Sequence, residues 1–450
     1  MPNALTLLEL NREQDAPFVL TTNGSFTRGT LLRLAAGMGA RLRDVGASKE
    51  NVIVSLDSGP DFIASIAGCW LAGATPVLLD PLVRRELLGA VEMTQANTFI
   101  SGASGNNELE GRIQKIAPDS VEAEPWEASP VADSAPVLWL FTSGSTGKPA
   151  LVPKTFDQLD VEIRFLSSLL GEPRRVATLV PWCHIFGLLT SLLVPARMHG
   201  VCDLSAGVSP KRVLERAGPG LLDLVVAVPA VYQVMVRYLE AGDFVPIPDT
   251  CRFTCSGAPL GPALRARFTE LSRHPITDLY GSTEAGGVAY RHDEGPWIVE
   301  PHVESRIVDD GYLEVRSASV SLCSPGEFYR IGDLVRPEGR GFELVGRSDD
   351  VVKIGGRRTS LGEVTEAVEA CPGVSNAAVL AHKIRGAQRL VAFVEPTSDG
   401  VDSETVKVFV RGRLADHKVP RKVEIMERLP RTPAGKIDRL RLAPPRGEEE

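Results

Sequence analysis

Hydrophobic periodicity alternates along the first eighty residues, and that alternation limits the architecture more than any other feature. Residues 27–45 carry apolar side chains at helical spacing, 51–56 (NVIVSL) form a short β-branched run, 61–72 are helical again, and 74–79 (ATPVLL) make a second buried run. Parallel strands must be joined by a crossover, and a helix laid on the sheet is the usual one. The pattern therefore predicts a parallel sheet covered on both faces. Residues 118–136, polar and dotted with proline, read as a surface connection, and 137–141 as a further strand running into a Gly/Ser/Thr loop.

Length and composition set the outer bounds. The chain has 450 residues, 43% hydrophobic and 24% charged, enough for two to four domains at about 150 residues each. A net charge of −8 argues against a nucleic-acid binder held by phosphate contacts. Residues 1–18 are interrupted by Glu9, Arg12, Glu13 and Asp15 and lack the apolar core of a signal peptide. The longest apolar stretch, 221–236, contains Asp223 and Pro229 and falls short of the roughly 20 residues a membrane span needs. The seven cysteines include no CxxC pair; Cys251 and Cys255 have no second Cys or His pair near them in sequence. Reduced, buried thiols in a cytoplasmic protein are expected, with no membrane or nucleic-acid partner.

The balance of charge shifts near residue 350. Residues 350–450 hold 18 Lys+Arg against 15 Asp+Glu, while the residues before them hold 31 against 42. A mildly basic piece after an acidic body suggests a separate domain.

Chemistry is first visible in 140–154, LFTSGSTGKPALVPK. A loop dense in Gly, Ser and Thr directly after a buried strand offers backbone N–H groups and hydroxyls to a phosphate. It is not a Walker A loop, which would need Gly in place of Thr142 and Ser or Thr in place of Pro149. Downstream lie PWCHIFG (181–187), SGAPLG (256–261), YGSTEAGG (280–287), YRIGDL (329–334), GRSDDVVKIGGRR (346–358) and RTPAGKIDR (431–439).

Together, in this order, these blocks resemble the adenylate-forming superfamily of acyl- and aryl-CoA synthetases, peptide-synthetase adenylation domains and luciferases, over nearly the whole chain. The resemblance implies a large N-terminal α/β domain of several subdomains with parallel sheets, residues 1–345, and a small mobile α+β C-terminal domain, 346–450. It implies ATP and Mg²⁺ as cofactors, a small-molecule carboxylic acid as substrate, and CoA or a phosphopantetheine arm as acceptor. A monomer or homodimer fits it, with an acyl carrier protein as a possible partner. A carboxylate attacks the α-phosphorus of ATP and expels pyrophosphate; because two anions must meet, catalysis rests on positioning and charge neutralisation.

Residue roles follow by the same resemblance. Thr142, Ser143, Gly144, Ser145, Thr146, Gly147 and Lys148 would form the phosphate loop, and Gly257, Ala258 and Pro259 would bracket adenine. Tyr280 and Gly281 would line the wall between adenine and the acyl pocket, beside Ser282, with Gly286 and His184 also at the substrate. Thr283 would contact phosphate, Glu284 would hold Mg²⁺, Asp333 would take the ribose hydroxyls, and Arg347 would support ribose or phosphate. Lys436 would contact the substrate carboxylate and phosphate during adenylation; Lys353 would stand at the thiol entrance and Asp349 at the hinge between domains.

Two departures stand out. The phosphate loop of the family continues Pro-Lys-Gly, whereas Pro149 is followed here by Ala150 and Leu151, with Lys154 three residues beyond; the chain is also short for the family. An α-amino group would need a buried carboxylate partner; the resemblance places that aspartate of the amino-acid-activating relatives within 181–194, which contains none here, and this favours an aryl or acyl acid. Other readings are stand-alone amino-acid adenylation, a different second step such as ring closure or oxygenation, and a non-catalytic nucleotide-binding relative.

Overall fold

The computed structural model describes the chain apart from residues 1–3, 82–83, 103–113, 119–120, 125–135, 143–149, 243–244, 309–310, 322–325, 348–349, 355–356, 385–386, 398–399, 432–436 and 443–450. Two compact units are present. One comprises Met1–Glu294, Glu300–Val303 and Arg316–Tyr329; the other comprises Gly295–Val299, Glu304–Val315 and Arg330–Glu450.

In the first unit the alternating pattern forms a six-stranded sheet. Its spatial order is Gln114–Ile116, Thr98–Ser101, Asn51–Ser55, Thr75–Leu78, Leu138–Thr142 and Ala150–Lys154, parallel except for the last pair. Successive side chains of a strand point to opposite faces, and here both faces are covered: Val52 and Val54 join one apolar cluster, Ile53 another. Helix Arg28–Asp44 begins where the Thr27 hydroxyl accepts from the Thr30 N–H. Helix Pro60–Ala72 opens on proline and stops at Gly73, whose φ of +75° is left-handed. The two helices cross closely at Gly68, where a Cβ would lie 2.6 Å from Met38 Cγ.

A second sheet in the same unit runs in the order Gly286–Arg291, Ile276–Ser282, Arg252–Cys255, Leu224–Ala227, Arg175–Thr178, Val201–Asp203, Pro17–Thr21 and Gly24–Thr27. All neighbours are parallel except the pairs at its two ends. The six described cysteines are free and buried, and among the described residues no helix is long and apolar enough to cross a membrane.

The second unit is α+β. It contains a four-stranded sheet, Glu304–Val308, Tyr312–Arg316, Tyr329–Glu338 and Gly341–Arg347, a hairpin of Val351–Ile354 with Arg357–Ser360, and a three-stranded sheet. That last sheet pairs Val374–Ile384 antiparallel with Ala387–Pro396, which runs parallel to Lys422–Ile425. Helices Leu361–Glu369 and Ser403–Arg411 contribute Val364, Val368, Val406 and Val410 to its core. The α/β and α+β character matches the expected fold class. The compact units, however, divide the chain ahead of 345/346, because the antiparallel ladder from Asp333↔Arg347 to Glu338↔Gly341 keeps those two strands in one body.

Arg28 locks the start of the first helix. Fully buried, its guanidinium donates to the carbonyls of Leu8, Glu9, Ala196 and Gly200 at 3.1 to 3.5 Å and lies 4.3 Å from the Phe18 ring centroid. Burial lowers its pKa, but the fork geometry lets one side chain satisfy carbonyls from two distant segments. Arg28→Met would remove this donor from all four; the Glu9 and Ala196 carbonyls keep the backbone N–H groups of Arg12 and His199, whereas those of Leu8 and Gly200 lose their donor among the described residues, and each such buried group costs about 1–3 kcal/mol. We expect a fall in melting temperature of several degrees or more with secondary structure retained below it; a variant as stable as the parent in a thermal scan would refute this role.

Candidate active site

Strands Arg175–Thr178, Leu224–Ala227, Arg252–Cys255 and Ile276–Ser282 are adjacent and parallel, so their carboxyl ends share one edge. Three of the motif blocks hang from that edge. PWCHIFG follows Thr178, SGAPLG follows Cys255, and YGSTEAGG begins within Ile276–Ser282. Ligands of open α/β sheets collect at such edges, where loops diverge.

Each block has a local reason for its shape. Gly257 takes φ +88° as the chain leaves Cys255, and the Ser256 hydroxyl donates to the Leu279 carbonyl at 2.7 Å, tying SGAPLG to the strand that leads into YGSTEAGG. Gly257 and Pro259 are exposed and Ala258 half-buried. In PWCHIFG a Cβ on Gly187 would lie 2.3 Å from the Pro181 carbonyl oxygen, so only glycine closes that turn. His184 is half-buried, its Nε2 3.1 Å from Asp80 Oδ2. Asp80 follows strand Thr75–Leu78, the neighbour of Leu138–Thr142, so this pair ties the carboxyl edges of the two sheets together. The backbone of Thr142 ends Leu138–Thr142; Ser143, Gly144, Ser145, Thr146, Gly147 and Lys148 lie outside the described residues.

The YGSTEAGG block turns from strand Ile276–Ser282 into Gly286–Arg291. Gly281 pairs with Gly287 and Ser282 with Gly286, and a Cβ on Gly281 would meet the Gly286 carbonyl oxygen at 2.2 Å. Tyr280, Ser282, Thr283 and Glu284 are half-buried, whereas Ala285 and Gly286 are buried. The turn is tied from below: the Ser321 N–H donates to the Glu284 carbonyl, the Ala285 N–H to Ser282 Oγ, the Ser319 hydroxyl to the Ala285 carbonyl, and the Gly287 N–H to Glu162 Oε2. Gly286, expected at the substrate, lies against Ser319 and Glu162, and a Cβ on Gly287 would meet the Glu300 carboxylate at 2.7 Å.

Against this turn sits a cluster of buried ionisable groups. Lys154 Nζ is 4.0 Å from Glu162 Oε1 and donates to the Ser319 carbonyl at 3.1 Å. Burial lowers the Lys154 pKa and raises that of Glu162, each opposed by the partner's charge. Burial, reinforced by Glu162, pushes Glu300 up to about 8. His302, 3.5 Å from Glu300 Oε2, is held low by burial, so near neutral pH the contact joins an acid and an imidazole that are both uncharged.

In the second unit Asp333 and Arg347 face each other across the ladder, with Oδ1 and Nη1 3.4 Å apart; Asp333 is the more buried. Lys353 has its backbone in strand Val351–Ile354, paired with Arg358. Asp349 and Lys436 lie outside the described residues.

Two donor sets could hold a metal. Thr283 and Glu284 offer hard oxygens from an anchored, half-buried turn, which suits Mg²⁺ bound jointly with phosphate. Asp80, Cys183 and His184 place one ligand atom each within 4.8 Å of one another, a mixed O/S/N set better matched to a borderline-soft cation. The buried residues Lys154, Glu162 and Glu300 were not legible as site residues. The available signal was Glu162 itself, an acid at helical spacing among Leu159, Ile163 and Leu166.

Fold and site together define an adenylate-forming enzyme. The chain belongs to the AMP-binding enzyme family: residues 9–329 match the family profile, and residues 363–436 match that of the AMP-binding enzyme C-terminal domain. Triostin synthetase I of Streptomyces triostinicus is 28% identical, covering 91% of this chain and 87% of that protein. The 3-hydroxybenzoate–CoA/4-hydroxybenzoate–CoA ligase of Thauera aromatica is 26% identical, covering 90% and 89%. In fold, the chain resembles o-succinylbenzoate CoA synthetase from Bacillus subtilis, solved with its acyl-adenylate intermediate, with a TM-score of 0.86, 22% identity, and coverage of 100% and 99%.

Glu300 supplies a test of the buried cluster. Its folded pKa of about 8 lies above the ordinary carboxyl value, so the native state holds an extra proton between roughly pH 4.5 and 8. Stability from this group is fully present below that window and is lost as pH rises through it, with a slope of up to about 1.4 kcal/mol per pH unit. Glu300→Gln has no such proton to lose. Its melting temperature should gain on the parent from pH 5 to 8 and level off above; parallel curves would show that Glu300 ionises normally.

Proposed function

We propose that this protein uses ATP to convert a carboxylic acid into an acyl-adenylate and then transfers the acyl group to a thiol, CoA or the phosphopantetheine of a carrier protein. The observation that carries this reading is the shared carboxyl edge, where Ser256 of SGAPLG bonds the strand that leads into YGSTEAGG, at the Leu279 carbonyl. In the first step a substrate carboxylate oxygen attacks the α-phosphorus, and the bond to the pyrophosphate oxygen breaks. In the second, a thiolate sulfur attacks the acyl carbon, the bond to the AMP oxygen breaks, and the thiol proton is lost to solvent.

The roles proposed for this chain's residues follow the site. Gly257, Ala258 and Pro259 flank adenine, Tyr280 and Gly281 separate it from the acyl pocket, and Thr283 binds phosphate. Residues 142–148 cradle the phosphates. Glu284 would hold Mg²⁺, which would supply charge neutralisation as pyrophosphate departs. Asp333 accepts from the ribose hydroxyls, and its partner Arg347 orients it. Lys436 neutralises the meeting anions, Lys353 serves the thiol step, and Asp349 is the pivot of the C-terminal domain.

The acid is proposed to be aryl or acyl. Helical residues 187–194 beyond His184 are buried and carry no acid, and the buried carboxylate nearby, Asp80, is engaged by His184. An α-ammonium would have to compete for it. A basic C-terminal domain suits an acidic carrier protein, and it suits polyanionic CoA equally.

Pyrophosphate release should depend on one class within a panel of aryl, short and long acids and accelerate with one acceptor. Silence across the panel in protein that binds ATP would sink the reading. Lys436→Ala should cut adenylation by about 100-fold or more while sparing thioester formation from supplied acyl-adenylate. Equal rates in both half-reactions for parent and variant would remove Lys436 from this role.

A further inference from the structure

We propose that Lys154 and Glu162 are a buried positioning pair that couples the strand leaving the phosphate loop to the Ser282–Gly287 turn, holding Thr283 and Glu284 where ATP and Mg²⁺ need them. The inference rests on the proposed roles of those two side chains and extends them to residues that touch no substrate.

Lys154 ends strand Ala150–Lys154, the first element after the phosphate loop, yet it is fully buried and so is no substitute for the lysine missing at Ala150. Glu162 lies eight positions on, inward from helix Phe156–Leu169 and 1% exposed. Lys154 binds the Ser319 carbonyl, Ser319 in turn binds the Ala285 carbonyl, and Glu162 receives the Gly287 N–H. The pair thus grips the turn on both sides of Gly286, whose φ of +76° brings its α-carbon against both grips: a Cβ there would lie 2.7 Å from Ser319 Cβ and 2.8 Å from Glu162 Oε1. Glu162 Oε1 has no hydrogen-bond partner among the described residues and faces Lys154 across 4.0 Å.

Such a pair is a poor device for stability alone. Two charges stripped of water recover little more than their desolvation cost, and apolar residues of equal volume often serve as well. Their distinctive contribution is directional. A carboxylate oxygen fixes the Gly287 N–H and an ammonium fixes the Ser319 carbonyl, both to within hydrogen-bond tolerance. Outer-shell groups of this kind orient the groups that touch the ion.

The test compares Lys154→Met/Glu162→Met with Lys154→Met/Glu162→Gln, the parent, and Glu284→Ala. Neither double variant leaves a lone buried charge, so both should fold; melting temperature checks this. The Met/Met variant has no acceptor for the Gly287 N–H. Its kcat/KM for ATP in acid-dependent pyrophosphate exchange should fall about 10–100-fold, with a higher Mg²⁺ requirement. Its KM for the acid and its thioester formation from supplied acyl-adenylate should be unchanged. Met/Gln keeps an acceptor and should recover most of the lost exchange. A folded Met/Met variant with parental exchange, or one that loses both half-reactions equally, would overturn the inference while Glu284→Ala remains impaired. Unimpaired exchange in Glu284→Ala would instead overturn the site reading beneath it.

Discussion

Parallel strands laid side by side must all end at the same edge, and the first unit is organised by that constraint. Thr178, Ala227, Cys255 and Ser282 close four neighbouring strands, so loops far apart in the chain are delivered to one place without any need to find each other. The six-stranded sheet obeys the same rule, with Leu78 and Thr142 on adjacent strands. The Asp80–His184 contact, spanning 104 residues of chain, then joins the two edges. Both faces of the six-stranded sheet are covered by apolar clusters, which fixes its strands within the core.

Polar burial concentrates beneath the strand that delivers YGSTEAGG. Asp278, midway along it, takes Arg265 and Arg291 at 2.7 and 3.2 Å, and the turn beyond it rests on Lys154, Glu162, Ser319 and Glu300. Charges are expensive to bury, and an apolar filling would have packed as well. Apolar contacts, however, have no direction. Hydrogen bonds do, so the donors and acceptors behind this turn hold its backbone in one arrangement, and the glycines at 281, 286 and 287 let neighbouring groups come within contact distance of the chain.

Much of this was legible in the sequence. Elements expected at 27–45, 51–56, 61–72 and 74–79 form as Arg28–Asp44, Asn51–Ser55, Pro60–Ala72 and Thr75–Leu78. Period, caps and flanking glycines are properties of a few adjacent residues, so the sequence displays them directly. The motif blocks were legible for the same reason: each is one turn, and its glycines and hydroxyls are contiguous. Division into compact units was less visible, because the ladder joining 329–338 to 341–347 is a pairing choice that charge balance does not report.

The groups beneath the turn could not be read that way. Lys154 stood out only as a departure from Pro-Lys-Gly, and Glu162 only as an acid on an apolar helix face. Their partners Ser319 and Gly287 lie 165 and 125 residues downstream. Local order along the chain determined the elements, the loops and the family to which the chain belongs. Which buried charge meets which backbone group was decided only when two sheets and a helix packed together, because desolvation and hydrogen-bond direction act through space and leave no period in the sequence.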